Sequence, residues 1–466
     1  MRILKTFRTE LSKFLPLFGP LLVSQYAQTA NGIIDTIMAA RLGPEGLGSV
    51  AVGVALWMPV YMFVIGVLFG VLIIVAQHFG AKDAESIQNS AWQGIWTGLG
   101  LGIATAALVY AVSSQMGWFG SDPGLADNAR GYVRMVIIGF PFGATAVALR
   151  FYSEGQEAVL PVTVMAVLVV GFNTFFNYVL MFGNFGFPAM GAQGCGLATS
   201  LSMVLFLIML AVYTSFSPRF KNVRLLKSIK LPNPASLKAI FKLGLPIGFG
   251  VTSEYLVLSV ITLFIGSVGA LQVSAHQVAF SCMMLFFTIP ASMSFAASIR
   301  VGVLMGAGDP GALRRSVNSI LSLCAITGIV LGFIMFFQAK SLAVLMADQS
   351  GIATLAAGLI KIAALFLFSD AIQICCNGIL RGVGDTAKPF AITASVYWLF
   401  CMPFGYILSG MPLPFGLSIP SGLFGIHGWW ISLTISISLV AILLYHRVRK
   451  TLQDKEIVYN EAYSGV

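Results

Sequence analysis

Three carboxylates stand where a carboxylate is costly. With His276 counted neutral, Glu254 is the only charged residue between Lys242 and Arg300, Asp35 the only one between Lys13 and Arg41, and Asp370 the only one between Lys361 and Arg381. Runs of this length cover one or two helical crossings at roughly 20 residues each, and an ionisable group at membrane depth is functional by default. The other fourteen of the seventeen acids fall at the termini, in predicted loops or at predicted helix ends. Isolated acids of this kind can exchange a proton or bind a cation.

The neighbours that spacing supplies narrow that chemistry. Asn173 and Asn177 form an i,i+4 pair on one face of a predicted helix, and Thr199 follows Cys195 by one turn on the next. Amide and hydroxyl oxygens beside Asp35 suit a hard monovalent cation, or a carboxylic acid held by hydrogen bonds; the competing reading is hydrogen-bonded glue between helices. Glu254 and Asp370 fall on the predicted seventh and tenth helices, with His276 and Gln277 on the eighth. Two acids in one apolar region share a proton or bind a cation, because like charges close together in low dielectric cannot both ionise cheaply. His276 reads more readily as a packed or hydrogen-bonded histidine, since no second His or Cys lies at ligand spacing. No Lys or Arg within its own helix pair offers Glu254 an ion pair. Tyr255, Phe280, Phe287 and Phe366 are among the aromatics that could line a pocket for flat cations, although each alone reads as core or lipid contact.

The elements that must position these residues are membrane helices. The 466 residues are 58% hydrophobic and 9% charged, with a mean hydropathy of +0.89, against about 25% charged in an ordinary soluble chain. The fold class is therefore all-α and polytopic, with the bilayer as a partner. The net charge of +10 does not indicate nucleic acid, since the basic residues divide among loops instead of collecting on one face. The six cysteines form no CxxC pair and read as small buried hydrophobes. The basic N-terminal segment lacks a small-residue cleavage site and is expected to be retained.

Apolar runs predict twelve helices, at approximately 14–40, 48–77, 88–115, 130–151, 160–183, 191–216, 243–268, 274–303, 315–338, 352–380, 388–411 and 425–446. With the N-terminus inside, 22 of the 27 Lys and Arg residues fall in inward segments, which predicts both termini in the cytoplasm of a cell whose inner (plasma) membrane the chain spans. Pro16, Pro20, Pro246 and Pro290 interrupt predicted helices and suit helices that bend.

A polar stretch from Ser217 to Lys242 divides the chain near its middle. At a constant offset of 226 residues, Pro20 falls on Pro246, Gly43 on Gly269, Gly80 and Ala81 on Gly306 and Ala307, Asp83 on Asp309, and Ser90 on Ser316. Leu149-Arg150 matches Leu380-Arg381 after a small shift. The expectation is a duplicated unit of six helices: a first lobe at 1–216, a cytoplasmic linker at 217–242, a second lobe at 243–446 and a cytoplasmic tail at 447–466. An even number of crossings makes the repeats parallel, with substrate expected in a central cleft. The acids break the repeat, since Glu254 falls on Gln28, Asp35 on Ile261 and Asp370 on Gly139.

These residues resemble the multidrug and toxic compound extrusion family, in its NorM-like bacterial branch. The likeness rests on ANGIIDTIMAARLG around Asp35, NTFFNYVLMFGNFGFPAMGAQGCGLATS from Asn173, SAHQVAF from Ser274 and FSDAIQICCNGILRGVGDT ending at Thr386, taken in that order on a duplicated twelve-helix layout. The resemblance implies a cation-coupled antiporter that exports cationic or amphipathic compounds by rocking two lobes. It makes Asp35, Asn173, Asn177 and Thr199 the first-lobe polar site, with Gln277 a further polar candidate. It makes Glu254 and Asp370 the second-lobe acids that take Na+ or H+ as coupling ion, with no other cofactor. Gln28, Tyr255, His276, Phe280, Phe287 and Phe366 are then candidate drug-cleft residues. Phe366 departs from the family pattern, in which a tyrosine is expected one turn before the tenth-helix acid.

Rival readings are weaker. A lipid-linked oligosaccharide flippase would need basic residues for pyrophosphate, and the predicted helix interiors offer almost none. A membrane-embedded enzyme would need a His-rich or clustered acid motif. A passive channel would have little use for coupling acids. ATP cannot power transport on this chain, which has no GxxxxGK[ST]. The expected state is a monomer and not an enzyme.

Overall fold

Glycine contacts and buried polar bonds, more than apolar area, decide how these helices pack, because lipid is as apolar as leucine. The structure is a computed structural model that describes residues 2–115, 123–225, 228–347, 349–410 and 424–463. Residues 226–227 of the expected linker, 411 of the eleventh predicted helix and 464–466 of the expected tail lie outside the described residues.

Among the described residues the chain is all-helical, with no strand. The helices of the first half are α1 (Arg2–Ala40), α2 (Pro44–Gly80), α3 (Ala84–Ser113), α4 (Pro123–Ile137), α5 (Phe140–Gly155), α6 (Val159–Phe182) and α7 (Ala192–Phe216). Those of the second half are α8 (Pro234–Val268), α9 (Ala270–Ala307), α10 (Pro310–Phe337), α11 (Ala339–Met346), α12 (Ser350–Gly382), α13 (Ala387–Ser395), α14 (Met402–Ser409) and α15 (Ile426–Tyr463). Ten helical stretches among the described residues are long and apolar enough to cross a membrane, and the bent pair α4–α5 makes an eleventh. The 39-residue α1 is long enough to be the twelfth, although Gln25, Gln28, Thr29, Asn31 and Asp35 make its second half polar.

Two predicted helices differ in shape. The fourth, expected as one run over 130–151, bends by 46° between α4 and α5. Pro141 sits in the first turn of α5 and cannot donate to the preceding turn. Ser200 of α7 satisfies the break: its hydroxyl donates to the carbonyls of Met135 (2.6 Å) and Val136 (3.0 Å) and accepts the N–H of Gly139 (2.9 Å). The eleventh crossing contains a π-helical stretch, Val396–Cys401, between α13 and α14. Pro403 follows it and lacks the N–H that a regular ladder needs there.

Contacts divide the chain into two compact units, Gly19–Thr252 and Met1–Phe18 with Ser253–Val466. They are offset from the sequence halves 1–216 and 243–446, for local reasons. In the Gly19–Thr252 unit, Gly66 and Gly70 of α2 meet Gly244 and Gly248 of α8, so closely that a Cβ on Gly66 would stand 2.5 Å from the Gly248 Cα. The linker is strapped to the same unit by donors from one face of α3. Trp92 donates to the Leu225 carbonyl (3.1 Å), Trp96 to that of Lys230 (3.0 Å) and Gln93 to that of Leu231 (2.9 Å). In the other unit, Arg300 of α9 lies 3.3 Å from Glu10 of α1, and both are largely buried. Glu154, in the last turn of α5, is likewise buried, against Arg150 at 2.7 Å.

The repeat is visible in the caps. Asp83 accepts from Ser86 N (3.1 Å) at the start of α3, and Asp309 accepts from Ala312 N (2.8 Å) at the start of α10. Hydrogen bonding from Ser86 holds the Asp83 carboxyl below the usual carboxylate range.

Candidate functional site

In the Gly19–Thr252 unit the predicted polar group assembles around Asp35. Asn177 of α6 donates to Asp35 Oδ1 at 2.6 Å and to Asn173 Oδ1 at 3.0 Å. Asn31, one turn before Asp35 on α1, donates to Oδ2 at 3.4 Å. Asn173 and Asn177 are buried, whereas Asp35 is half-buried. The Asn31 Oδ1, Asn173 Nδ2 and Asn177 Oδ1 atoms have no partner among the described residues, so the group retains unspent acceptors and a donor. The Tyr132 phenol and the Cys195 thiol share this electrostatic neighbourhood, and Trp57 donates to the Tyr132 hydroxyl at 3.3 Å. Thr199 is spent locally, donating to the Cys195 carbonyl at 3.0 Å. Gln28 lies exposed on α1 and bonds the Ser24 carbonyl and Gln25.

In the unit containing Ser253–Val466, Glu254 of α8 acts electrostatically on Asp370 of α12. Asp370 is only 7% exposed, and Glu254 is half-buried. Two hydroxyl bonds set the position of α12: Ser294 of α9 donates to the Ile374 carbonyl at 2.6 Å, and Ser298 to that of Gly378 at 2.9 Å. Gly378 permits this approach, because a Cβ there would overlap the Ser294 carbonyl oxygen. The backbones therefore pack almost directly, and Asp370 is carried on a helix packed closely against α9.

Arg381, in the last turn of α12, acts electrostatically on Glu254. Arg381 lies on a third helix, outside the helix pair of Glu254. Tyr397 of the π-helical stretch also shares the neighbourhood of both acids, and sequence reasoning missed it.

The aromatic candidates separate. His276 is buried, with Nε2 3.0 Å from the Thr262 hydroxyl, its ring stacked on Phe280 at 6.2 Å and set edge-on to Trp430 at 5.6 Å. Phe366, 1% exposed, stacks on Trp430 at 6.3 Å. Trp430, which the sequence reading did not single out, thus joins Phe366 to the His276–Phe280 pair. Phe287 is half-buried on α9, while Tyr255 on α8 and Gln277 on α9 are exposed.

Among the described residues no three His, Cys, Asp or Glu side chains cluster as a metal site. What the two groups can do is hold a monovalent charge, with oxygen donors around Asp35 and two acids opposed by one guanidinium around Glu254.

A family model described as MatE matches residues 20–179 and 246–407, and the two matches begin 226 residues apart. The multidrug resistance protein MdtK of Edwardsiella ictaluri is 32% identical over 441 residues, covering 94% of this chain and 95% of that protein. The multidrug resistance protein NorM of Photobacterium profundum is 30% identical over 443 residues, covering 95% and 96%. Among solved structures, the eukaryotic MATE transporter AtDTX14 shares the fold with a TM-score of 0.85 at 22% identity, covering 97% of this chain and 100% of that one.

Proposed function

The chain belongs to the MatE family of multidrug efflux transporters, and from that premise we propose that it exports cationic or amphipathic compounds in exchange for Na+ or H+, by alternating access of its six-helix halves. The observation that carries this reading is the charge set around Glu254: two carboxylates at membrane depth and one guanidinium. Arg381 offsets one acid, which leaves one formal negative charge. A single monovalent cation or proton neutralises it.

Neutralisation matters because an unpaired charge is costly to carry through a closed, dry state. With the coupling ion bound to Glu254 and Asp370, the site can change access; with the ion absent, the residual charge holds it until a cationic compound or the next ion arrives. Linkage makes the effect reciprocal, so an ion that weakens binding of the compound is expelled by that compound to the same degree. Asp35 and its amides serve as the second polar site in the Gly19–Thr252 unit, where unpartnered amide atoms remain for an ion or a compound. We read the chain as a monomer with both termini in the cytoplasm of the plasma membrane.

Glu254→Gln and Asp370→Asn test the reading. Each is expected to abolish coupled ethidium efflux while the protein remains folded and membrane-inserted. Wild-type efflux from either variant contradicts it.

A further inference from the structure

Phe366 stands one turn before Asp370, where a hydroxyl would be in reach of the acid, but its ring is buried against Trp430 and brings no oxygen. A hydroxyl enters from another helix. Tyr397 lies in the π-helical stretch Val396–Cys401 and is buried, and single π turns are frequent at functional sites because they re-aim side chains. Two residues tie this stretch to the acid-bearing helices. The Tyr397 hydroxyl lies 3.1 Å from Gln373 Nε2 and 3.2 Å from Gln373 Oε1, and Gln373 follows Asp370 by three residues on α12. The adjacent Trp398 donates its indole N–H to the Ser253 hydroxyl at 2.8 Å, and Ser253 immediately precedes Glu254 on α8.

We infer that the Tyr397 hydroxyl is the neutral oxygen of the coupling site between Glu254 and Asp370, and that Gln373 is the positioning residue that aims it. This rests on the coupling role proposed above for the two acids. A phenol has one proton to give and two lone pairs to offer. When Gln373 donates its amide N–H to the phenol oxygen, the phenol proton is free for a carboxylate and the second lone pair for a cation. The same side chain therefore serves the site in both states: as a donor to an ionised acid when the ion has left, and as a ligand when it is bound. Acidic and neutral oxygens together suit a hard monovalent cation better than carboxylates alone, whose mutual repulsion must otherwise be met by the ion. Arg381 is the charged group opposite, acting on Glu254.

The test is ethidium efflux from proteoliposomes as the driving cation is titrated, with Na+ and pH gradients imposed separately. Tyr397→Phe is expected to raise the cation concentration for half-maximal efflux about tenfold, the size of one contact to a charged group, while the maximal rate and ethidium affinity hold. Phe366→Tyr, added to Tyr397→Phe, is expected to bring the half-maximal concentration back toward wild type. Should Tyr397→Phe fail to reconstitute, Gln373→Ala carries the same test, since it keeps the phenol and removes its aim. An unchanged half-maximal concentration overturns the inference while leaving the antiport reading in place. A wild-type protein driven by neither gradient overturns both.

Discussion

A carboxylate in an apolar helix has few neighbours that could satisfy it, so those it has define what it can do. Asp35 has two amide donors, and the shorter bond, from Asn177 at 2.6 Å, crosses from α6 to α1. Asn177→Ala leaves only the 3.4 Å contact from Asn31. Hydrogen bonds to charged groups are worth about 1.5–3 kcal/mol, so efflux is expected to fall roughly tenfold or more in reconstituted vesicles. An unchanged rate would remove the Asp35 group from the transport cycle. At this scale the acids were legible in the sequence because each is the only charge in a long uncharged run, and the Asn pair because i,i+4 spacing fixes a shared face. Arg381, Tyr397, Gln373 and Trp430 were not legible as site residues. Periodicity gives the face of a helix, but nothing in it says which distant helix that face will meet.

At the scale of the element, close backbone approach holds the helices in place. Gly66 on α2 and Gly244 on α8 leave no room for a side chain: a Cβ on Gly244 would overlap the Val67 carbonyl oxygen. Gly66→Val and Gly244→Val are expected to destabilise the protein by about 1–3 kcal/mol each, read as a lower thermal midpoint in detergent. Gly100→Ala on α3 is the control, because a Cβ there meets nothing within 4 Å, and its midpoint should hold or rise. Equal effects at all three sites would show that the glycine contacts do not set the packing. The strap on the linker gives a second test. Gln93→Ala with Trp96→Phe removes the donors to the Leu231 and Lys230 carbonyls, and tryptic cleavage after Lys230 is expected to accelerate several-fold. The same rate as wild type would mean that other contacts hold the segment. The helix pairs themselves, the bend at Pro141 and the π stretch before Pro403 show where the sequence reading stopped. Prolines marked both places, but whether a proline kinks, breaks or widens a helix depends on partners such as Ser200 that come from another helix.

For the whole molecule, duplication carried most of the architecture. Matches to the family model begin at Pro20 and Pro246, at the spacing the turns and caps predict. The compact units begin elsewhere in α1 and α8, because two polar or glycine contacts, Glu10 with Arg300 and α2 with α8, pull the helix starts away from the halves that contain them in sequence. Such long-range pairings leave no periodic trace. The distribution of basic residues predicts both termini in the cytoplasm, so green fluorescent protein fused at either end is expected to fluoresce; a dark fusion at one end would invert that half of the topology.

The central claim is that a cation gradient drives the compound uphill. Purified protein in liposomes, given equal ethidium on both sides and then either a Na+ gradient or a pH gradient, measures it directly. The account predicts that one of the gradients moves ethidium against its own concentration difference, and that an ionophore dissipating that gradient stops the movement. Ethidium that remains at equal concentration on both sides under each gradient would contradict it.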